Sequence, residues 1–442
     1  MKKPASKFVI SLGSALVILL AAGALSLALV KNLPAASSAN DSGSEVAVPA
    51  ATQQVVCPGL PGDDAKAWVQ GISAAGSPPL VDSSGRTLTG QAPQAVGKSG
   101  LNLQVKPVAG KNAAAVGYVS SAGKEGENGF FADYCAVPAN RAYFLTPGTT
   151  TGNASTLHLV NPAGAPVTAR IQIWTEQGPL PAKVTQKVPG KGHASLVLDG
   201  QAPGFTRLGV LVESDGAGLN SWVNTTLATG AQKAGGAHLP PLASPSNQVL
   251  IPAAKITGKA SLRVLNPSLA VATLQVSLLD AKGETPVPAP KKLQVARGAV
   301  FEIPLGGIKD GVGAVKLKSN QPVVAAVFAE ETFADKGTLA VYPSTMPTTS
   351  GAVLINEEAG NLVFAGSRSQ KITLTSGKKT QELTVKPETL SQVKLGSGVW
   401  QWQSETEIYA GQLVGDPAGT FRTIGMGKAA REIAAIAVKV NP

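Results

Sequence analysis

At 442 residues the chain is too long for one hydrophobic core. A size of roughly 150 residues per domain predicts about three domains, or four if each is an all-β module of ~100 residues. Gly (49) and Pro (32) are abundant and charged residues make up only 15%, which is typical of a turn-rich β protein. The net charge of +11 is either an ordinary solvated surface or an attraction to anionic polymers or lipids. No dense Lys/Arg run occurs, which argues against nucleic-acid binding.

The N-terminal 31 residues combine a basic start with a long apolar run. Residues 8–30 carry no charge, and a helix of that length, at ~1.5 Å per residue, spans a ~30 Å hydrocarbon layer. A cleavable signal has a shorter apolar region of about 7–15 residues, although residues 37–39 (SSA) have the small side chains of a cleavage site. We predict an uncleaved membrane anchor in residues 1–31, with a cytoplasmic N-terminus and an extracellular remainder.

Residues 32–54 are rich in Ala, Ser and Pro and predict a flexible linker. Residues 55–145 predict a small β module, in which LNLQV at 101–105 alternates between apolar and polar side chains. Cys57 and Cys135 are the 2 cysteines of the chain. An even count in an oxidising compartment predicts one disulfide, and the alternative is a pair of free buried thiols.

One sequence pattern then occurs twice in the chain. Residues 157–162 read LHLVNP and 262–267 read LRVLNP, after which IQI at 171–173 corresponds to VSL at 276–278. We predict a β-sandwich over 146–242, its repeat over 247–347, and a related sandwich over 350–442. The segment 431–440 permits a helix, but its alternating apolar residues favour a final strand. The predicted fold class is all-β, with tandem immunoglobulin-like β-sandwich modules stacked as a rod after one N-terminal transmembrane helix.

Residues that could carry chemistry are scattered. His158, His193 and His238 match no metal-ligand spacing, and no G-x-S-x-G nucleophile motif occurs. The acidic pairs at 63–64, 330–331 and 357–358 consist of adjacent residues, which point to opposite faces of a strand. They do not predict the facing carboxyls of a glycosidase. We therefore predict no catalytic residue, no metal site and no cofactor.

Trp400 and Trp402 are two residues apart, so on a strand their rings share one face. If exposed, the pair would form a stacking platform for the sugar rings of a glycan. If buried, it would supply part of a sandwich core, and this interpretation is preferred.

Four motifs along the chain resemble those of a known family. They are VCPG at 56–59, YCAVPA at 134–139, GNAS at 152–155 and LVNP at 159–162. The chain resembles, over essentially its whole length, a family of actinobacterial membrane-anchored extracytoplasmic proteins of unknown function. The resemblance implies an envelope location and transfers no catalytic residue.

Three functions follow as hypotheses. The first is a non-catalytic single-pass membrane protein of the cell envelope, held in the membrane by residues 8–30. Its modules would act as an interaction scaffold for an envelope protein, a wall polymer or a second copy. The second is a cell-wall glycan-binding protein that uses exposed aromatic residues. The third is an enzyme acting on wall polymers, with a site assembled from loops of different modules.

Overall fold

The computed structural model of the chain describes residues 44–47, 50–88, 92–123, 127–229, 232–256, 259–288, 293–306, 311–333, 336–415, 420–425 and 435–438. The predicted anchor at 8–30 and the SSA stretch at 37–39 lie outside these residues. No helix long and apolar enough for a membrane crossing occurs in the described part of the chain. All regular secondary structure in that part is β-strand, which confirms the predicted all-β class.

The chain divides into two compact units, one of Met1–Pro49 with Ile433–Pro442 and the other of Ala50–Glu432. The second unit contains four β modules, named here modules 1 to 4. The strands, in chain order and starting with the one strand that precedes module 1, have the following bounds. The first strand is β1 (Ser44–Ala47). Module 1 contains β2 (Gln53–Cys57), β3 (Lys66–Ser73), β4 (Leu80–Asp82), β5 (Thr87–Leu88), β6 (Gln94–Ala95), β7 (Leu101–Val105), β8 (Ala113–Gly123) and β9 (Gly129–Tyr134). Module 2 contains β10 (Arg141–Thr146), β11 (Asn153–Val160), β12 (Val167–Thr175), β13 (Gly178–Pro179), β14 (Val184–Val188), β15 (His193–Val197), β16 (Leu208–Ser214), β17 (Asn220–Thr229) and β18 (Gln232–Leu239). Module 3 contains β19 (Ser246–Ile256), β20 (Ala260–Leu265), β21 (Ala272–Leu279), β22 (Glu284–Pro286), β23 (Leu293–Val295), β24 (Val300–Pro304), β25 (Gly311–Phe333) and β26 (Lys336–Pro343). Module 4 contains β27 (Thr348–Ile355), β28 (Asn361–Gly366), β29 (Gln370–Ser376), β30 (Lys379–Val385), β31 (Thr389–Lys394), β32 (Gly398–Gly415) and β33 (Phe421–Ile424), and β34 (Ala435–Val438) follows it.

All four modules share one strand order. Module 1 has the sheets β2-β7-β4-β5 and β6-β3-β8-β9, so its strands follow the orders 1-6-3-4 and 5-2-7-8. Modules 2, 3 and 4 repeat this order. In modules 3 and 4, strands six and seven form one long strand, which is β25 or β32. In modules 2 and 3, strand four consists of two short strands, β13 with β14 or β22 with β23. Module 1 is therefore a fourth repeat that the sequence pattern does not reveal.

This strand order differs from that of an immunoglobulin domain. Both have strand two beside strand five and strand three beside strand six. Here strand seven pairs with strand two, whereas in an immunoglobulin domain it pairs with strand six. The structure therefore shares two strand pairings with the predicted immunoglobulin-like order and differs from it in the other pairings.

Strand register is the same at corresponding positions of modules 2 and 3. Ile171 lies opposite Val212 in module 2, and the corresponding residues Val276 and Leu317 lie opposite each other in module 3. The predicted module boundary at residue 145 differs from the structure, because β10 pairs with β16 and so belongs to module 2.

Asn161 and Asn266, from the two NP motifs, shape equivalent loops. Both side chains are fully buried. Each donates from Nδ2 to the carbonyl oxygen four residues ahead at 2.8 Å, and each Oδ1 accepts from the backbone N–H two residues ahead. Because the following proline cannot donate to a ladder, the strand ends there and the asparagine supplies the hydrogen bonds of the turn.

Apolar side chains alternate along the strands and fill the space between the two sheets of each module. In β12, Ala169, Ile171 and Ile173 are buried while Arg170 is exposed. In module 1 the core contains a disulfide between Cys57 and Cys135, which confirms the predicted pairing.

The four modules close on one another. The last strands of the modules, β9, β18, β26 and β33, contact each other, and β33 of module 4 meets β9 of module 1. Phe130 of module 1 and Ile424 of module 4 belong to one buried cluster. The predicted rod of stacked modules is therefore wrong, because apolar side chains on the outer faces of the sheets pair the first module with the last.

Glycines permit the closest of these approaches. A Cβ atom on Gly235 of β18 would lie under 3.0 Å from the backbone carbonyl of Gly337 on β26. In the same region Thr338 donates from Oγ1 to the carbonyl oxygen of Gly236 at 2.9 Å. Modules 2 and 3 thus pack backbone against backbone, which side chains at Gly235 would prevent.

We expect Gly235→Ala to lower the free energy of unfolding by about 1–3 kcal/mol, since the methyl group overpacks a contact with backbone atoms. The matched control is Gly337→Ala, because a Cβ there has nothing within 4 Å. Urea unfolding of both variants measures the difference. Equal stability of the two variants would contradict this packing.

Outside the four modules, β1 and β34 form a two-stranded antiparallel ladder in the first unit. β34 is the strand that the apolar alternation at 431–440 favours. β1 lies inside the predicted linker 32–54, so that segment contains a strand that its composition does not indicate.

Candidate functional site

The connections between successive modules meet at a cleft of about 980 Å³. Its wall includes parts of all three connections, for example Val137, Leu242 and Met346, together with the start of module 1. This volume lies at the upper end of the roughly 300–1,000 Å³ typical of ligand sites. Met346 is 53% exposed and Val137 is 42% exposed, so two apolar side chains of the cleft are open to solvent.

The connections run along the cleft because each one pairs back onto the first strand of the module it leaves. Ala136 bridges Val56 of β2, and Leu242 bridges Tyr143 of β10. Thr345 likewise bridges β19. Each bridge covers an edge strand that would otherwise present free backbone groups. The connections are rich in proline, which lacks an N–H and so limits each pairing to a single bridge.

Several neutral polar groups lie buried in the cleft wall without a protein hydrogen-bond partner. They come from modules 1 and 2 and from the connection between modules 3 and 4, and are Gln53 Oε1, Asn220 Oδ1, Trp222 Nε1, Ser344 Oγ and Thr345 Oγ1. A buried donor or acceptor without a partner costs about 1–3 kcal/mol. The set includes donors and acceptors, so it suits ordered water or a neutral hydroxyl-bearing ligand.

Two charged side chains of the cleft wall, Arg141 and Asp133, contact partners that do not line the cleft. Arg141, the one Lys or Arg on its described wall, contacts Glu213 at 2.5 Å. Asp133 accepts a hydrogen bond from Nε2 of the buried His238 at 3.0 Å. The wall therefore offers no free cation for an anionic ligand.

His238 links modules 1 and 2 through both ring nitrogens. Nε2 contacts Asp133 of β9, and Nδ1 lies 2.8 Å from Oδ1 of Asn224. Asn224 in turn donates to the carbonyl oxygen of Gly59 at 2.9 Å. Because both ring nitrogens have protein partners, the ring joins modules 1 and 2.

We expect His238→Ala to lower the free energy of unfolding by about 3–5 kcal/mol, because it leaves the Asp133 carboxylate buried without its partner. Glu382→Ala is the control, since it breaks the exposed Lys371–Glu382 pair. That change should cost about 0–1 kcal/mol. Urea unfolding compares the two variants, and a similar small loss in both would show that the buried contact does not hold the modules together.

The structure places Trp400 and Trp402 inside module 4, where they are 5% and 1% exposed. Trp400 donates from Nε1 to the carbonyl oxygen of Gly396 at 2.8 Å, and the ring of Phe364 meets that of Trp402 edge-on at 5.4 Å. Neither ring can stack on a sugar. The glycan-stacking hypothesis for this pair is wrong, and the core interpretation holds because the shared face of β32 points to the other sheet.

Two further histidines, which sequence spacing leaves unrelated, lie side by side on module 2. His158 Nδ1 is 3.2 Å from His193 Nε2, and the His158 ring also stacks on Trp222 with 5.5 Å between centroids. Burial, with a smaller repulsion from His193, lowers the pKa of His158 to about 4. Burial also lowers the pKa of His193. Both rings are therefore neutral near pH 7.

Four β modules around one cleft define the chain as a multi-module all-β protein with a cavity of ligand-binding size. It belongs to a family of unknown function (DUF5719), which matches residues 88–397. No curated protein matches the chain.

Solved structures similar to the chain include the following three. One is a tetra-tandem repeat from the extending region of a large adhesion protein, at 11% identity, with 89% of this chain and 97% of that chain covered and a TM-score of 0.12. Another is a Ca²⁺-stabilized adhesin that helps an Antarctic bacterium bind ice, at 11% identity, 87% and 100% coverage and a TM-score of 0.11. A third is the α-L-rhamnosidase of Streptomyces avermitilis, at 10% identity, 84% and 55% coverage and a TM-score of 0.12.

Proposed function

We propose that the chain is a non-catalytic scaffold of the cell envelope that holds a partner protein at the cleft between its modules. One observation carries this proposal: all three connections between modules converge on the same cleft, and two of them leave an apolar side chain, Val137 or Met346, exposed there. Apolar side chains exposed in a concave surface of this size suit contact with a protein partner.

Buried polar contacts between modules support a scaffold role, because they fix the cleft walls relative to one another. His238 of module 2 contacts Asp133 of module 1, and Arg422 of module 4 contacts Glu331 of module 3 at 2.9 Å. Arg263 of module 3 donates to the carbonyl oxygen of Thr146 in module 2. These buried contacts join module 1 to module 2, module 2 to module 3 and module 3 to module 4.

An envelope location is part of the same proposal. The Cys57–Cys135 disulfide is typical of an oxidising compartment outside the cytoplasm. Residues 8–30 have the length and apolar composition of a single membrane-spanning helix, and the lysines before them favour a cytoplasmic N-terminus. Under this proposal the modules act on the outer side of the membrane.

Site-specific crosslinking in cells tests the partner site. A photoreactive residue in place of Met346, which is 53% exposed in the cleft, should capture one reproducible envelope protein. The matched control replaces Leu269, which is 91% exposed and does not line the cleft, and should capture none. Mass spectrometry identifies the product. Equal capture at both positions, or none at Met346, would rule out the cleft as the docking site.

A second candidate function is binding of a wall glycan, favoured by the neutral buried donors and acceptors of the cleft wall. In this case the full chain should sediment with isolated cell wall, and Met346→Arg should lower the bound fraction several-fold by filling the cleft. Leu269→Arg adds the same charge elsewhere and should leave binding unchanged. An equal bound fraction for the wild type and both variants would rule out glycan binding at the cleft.

A further inference from the structure

Two strands of module 2 bring His158 and His193 together on one sheet face. β11 and β15 are antiparallel neighbours, with His158 opposite Ser195 and His193 opposite Val160. The two histidines therefore occupy diagonal positions, which point to the same side of the sheet and lie within reach of long side chains. The sequence separation of 35 residues hides this proximity.

The two facing ring nitrogens stand at the separation of two ligands on one metal ion. His158 Nδ1 and His193 Nε2 share a hydrogen bond of 3.2 Å, so one of them carries a proton that a bound ion would displace. Two nitrogens bound to tetrahedral zinc at about 2.05 Å lie about 3.3 Å apart, and at a square-planar ion about 2.9 Å. We propose that His158 and His193 bind a late first-row divalent ion, of which Zn²⁺ and Cu²⁺ are the best fits. This inference does not depend on the scaffold function.

Packing holds the site in place before an ion arrives. The His158 ring lies between those of His193 and Trp222, with centroid distances of 5.4 Å and 5.5 Å and interplanar angles of 22° and 14°. Trp222 is 1% exposed, so this end of the stack is fixed. His193 is exposed at the other end, which gives an ion a route from solvent. Ligands whose rotamers are held by neighbours bind a metal with less loss of freedom.

The ligand type decides which ions fit. Imidazole nitrogen suits Zn²⁺, Cu²⁺ and Ni²⁺, whereas Mg²⁺ and Ca²⁺ require oxygen ligands. In the described part of the chain no group of three or more His, Cys, Asp or Glu residues gathers as a metal site. Under this proposal His158 and His193 are the two protein ligands, and the remaining positions of the ion are open to water or to a donor group of a bound molecule.

Titration of the full-length chain in detergent tests the site. The protein carries no histidine tag and is titrated near neutral pH with ZnCl₂, CuCl₂ and MgCl₂. Calorimetry should show one Zn²⁺ or Cu²⁺ bound per chain and no Mg²⁺. The electron paramagnetic resonance spectrum of the Cu²⁺ complex should show two coordinating nitrogens.

Variants assign the ligands. His193→Phe keeps an aromatic ring on His158 while removing a ligand, and should lower the affinity at least tenfold and leave one coordinating nitrogen. His158→Phe should do the same, while Ser195→Ala is the matched control and should bind as the wild type does. The proposal is overturned if the wild type binds neither ion at millimolar concentration, or if both phenylalanine variants retain its affinity.

Discussion

The contact among the last strands of the four modules is the constraint on which the rest of the structure depends. Those strands approach so closely that Gly235 has no room for a side chain beside the carbonyl of Gly337. Once the strands meet, the connections that follow three of them must start from the same region, and each pairs back onto the first strand of its module. The cleft is the space that these connections leave, so its shape is a consequence of the module contacts.

Local patterns made much of the fold predictable from sequence. Alternation of apolar residues marks strands such as β7, and the repeated NP motif marks the turn that Asn161 and Asn266 shape in the same way. The disulfide followed from the count and placement of Cys57 and Cys135. Such features depend on neighbouring residues or on periodicity, which a single sequence displays directly.

The arrangement of modules and the candidate sites depend on contacts that periodicity does not encode. Asp133 and His238 meet although they are 105 residues apart, and His158 meets His193 only through strand pairing. One signal was available: β25 contains an uninterrupted buried run from Val323 to Ala329, which indicates a strand covered on both faces. Such a strand requires a second layer outside its own module, which a rod of independent sandwiches does not supply.

Contact between the first and last modules is the central claim, and a double-mutant cycle measures it directly. Ser120 of module 1 donates from Oγ to Oε2 of Glu358 in module 4 at 3.2 Å. If the modules close as described, the losses of unfolding free energy in Ser120→Ala and Glu358→Ala will not add in the double variant, and the coupling will be about 0.5 kcal/mol or more. Strict additivity of the two losses would contradict the closed arrangement and favour a linear chain of modules.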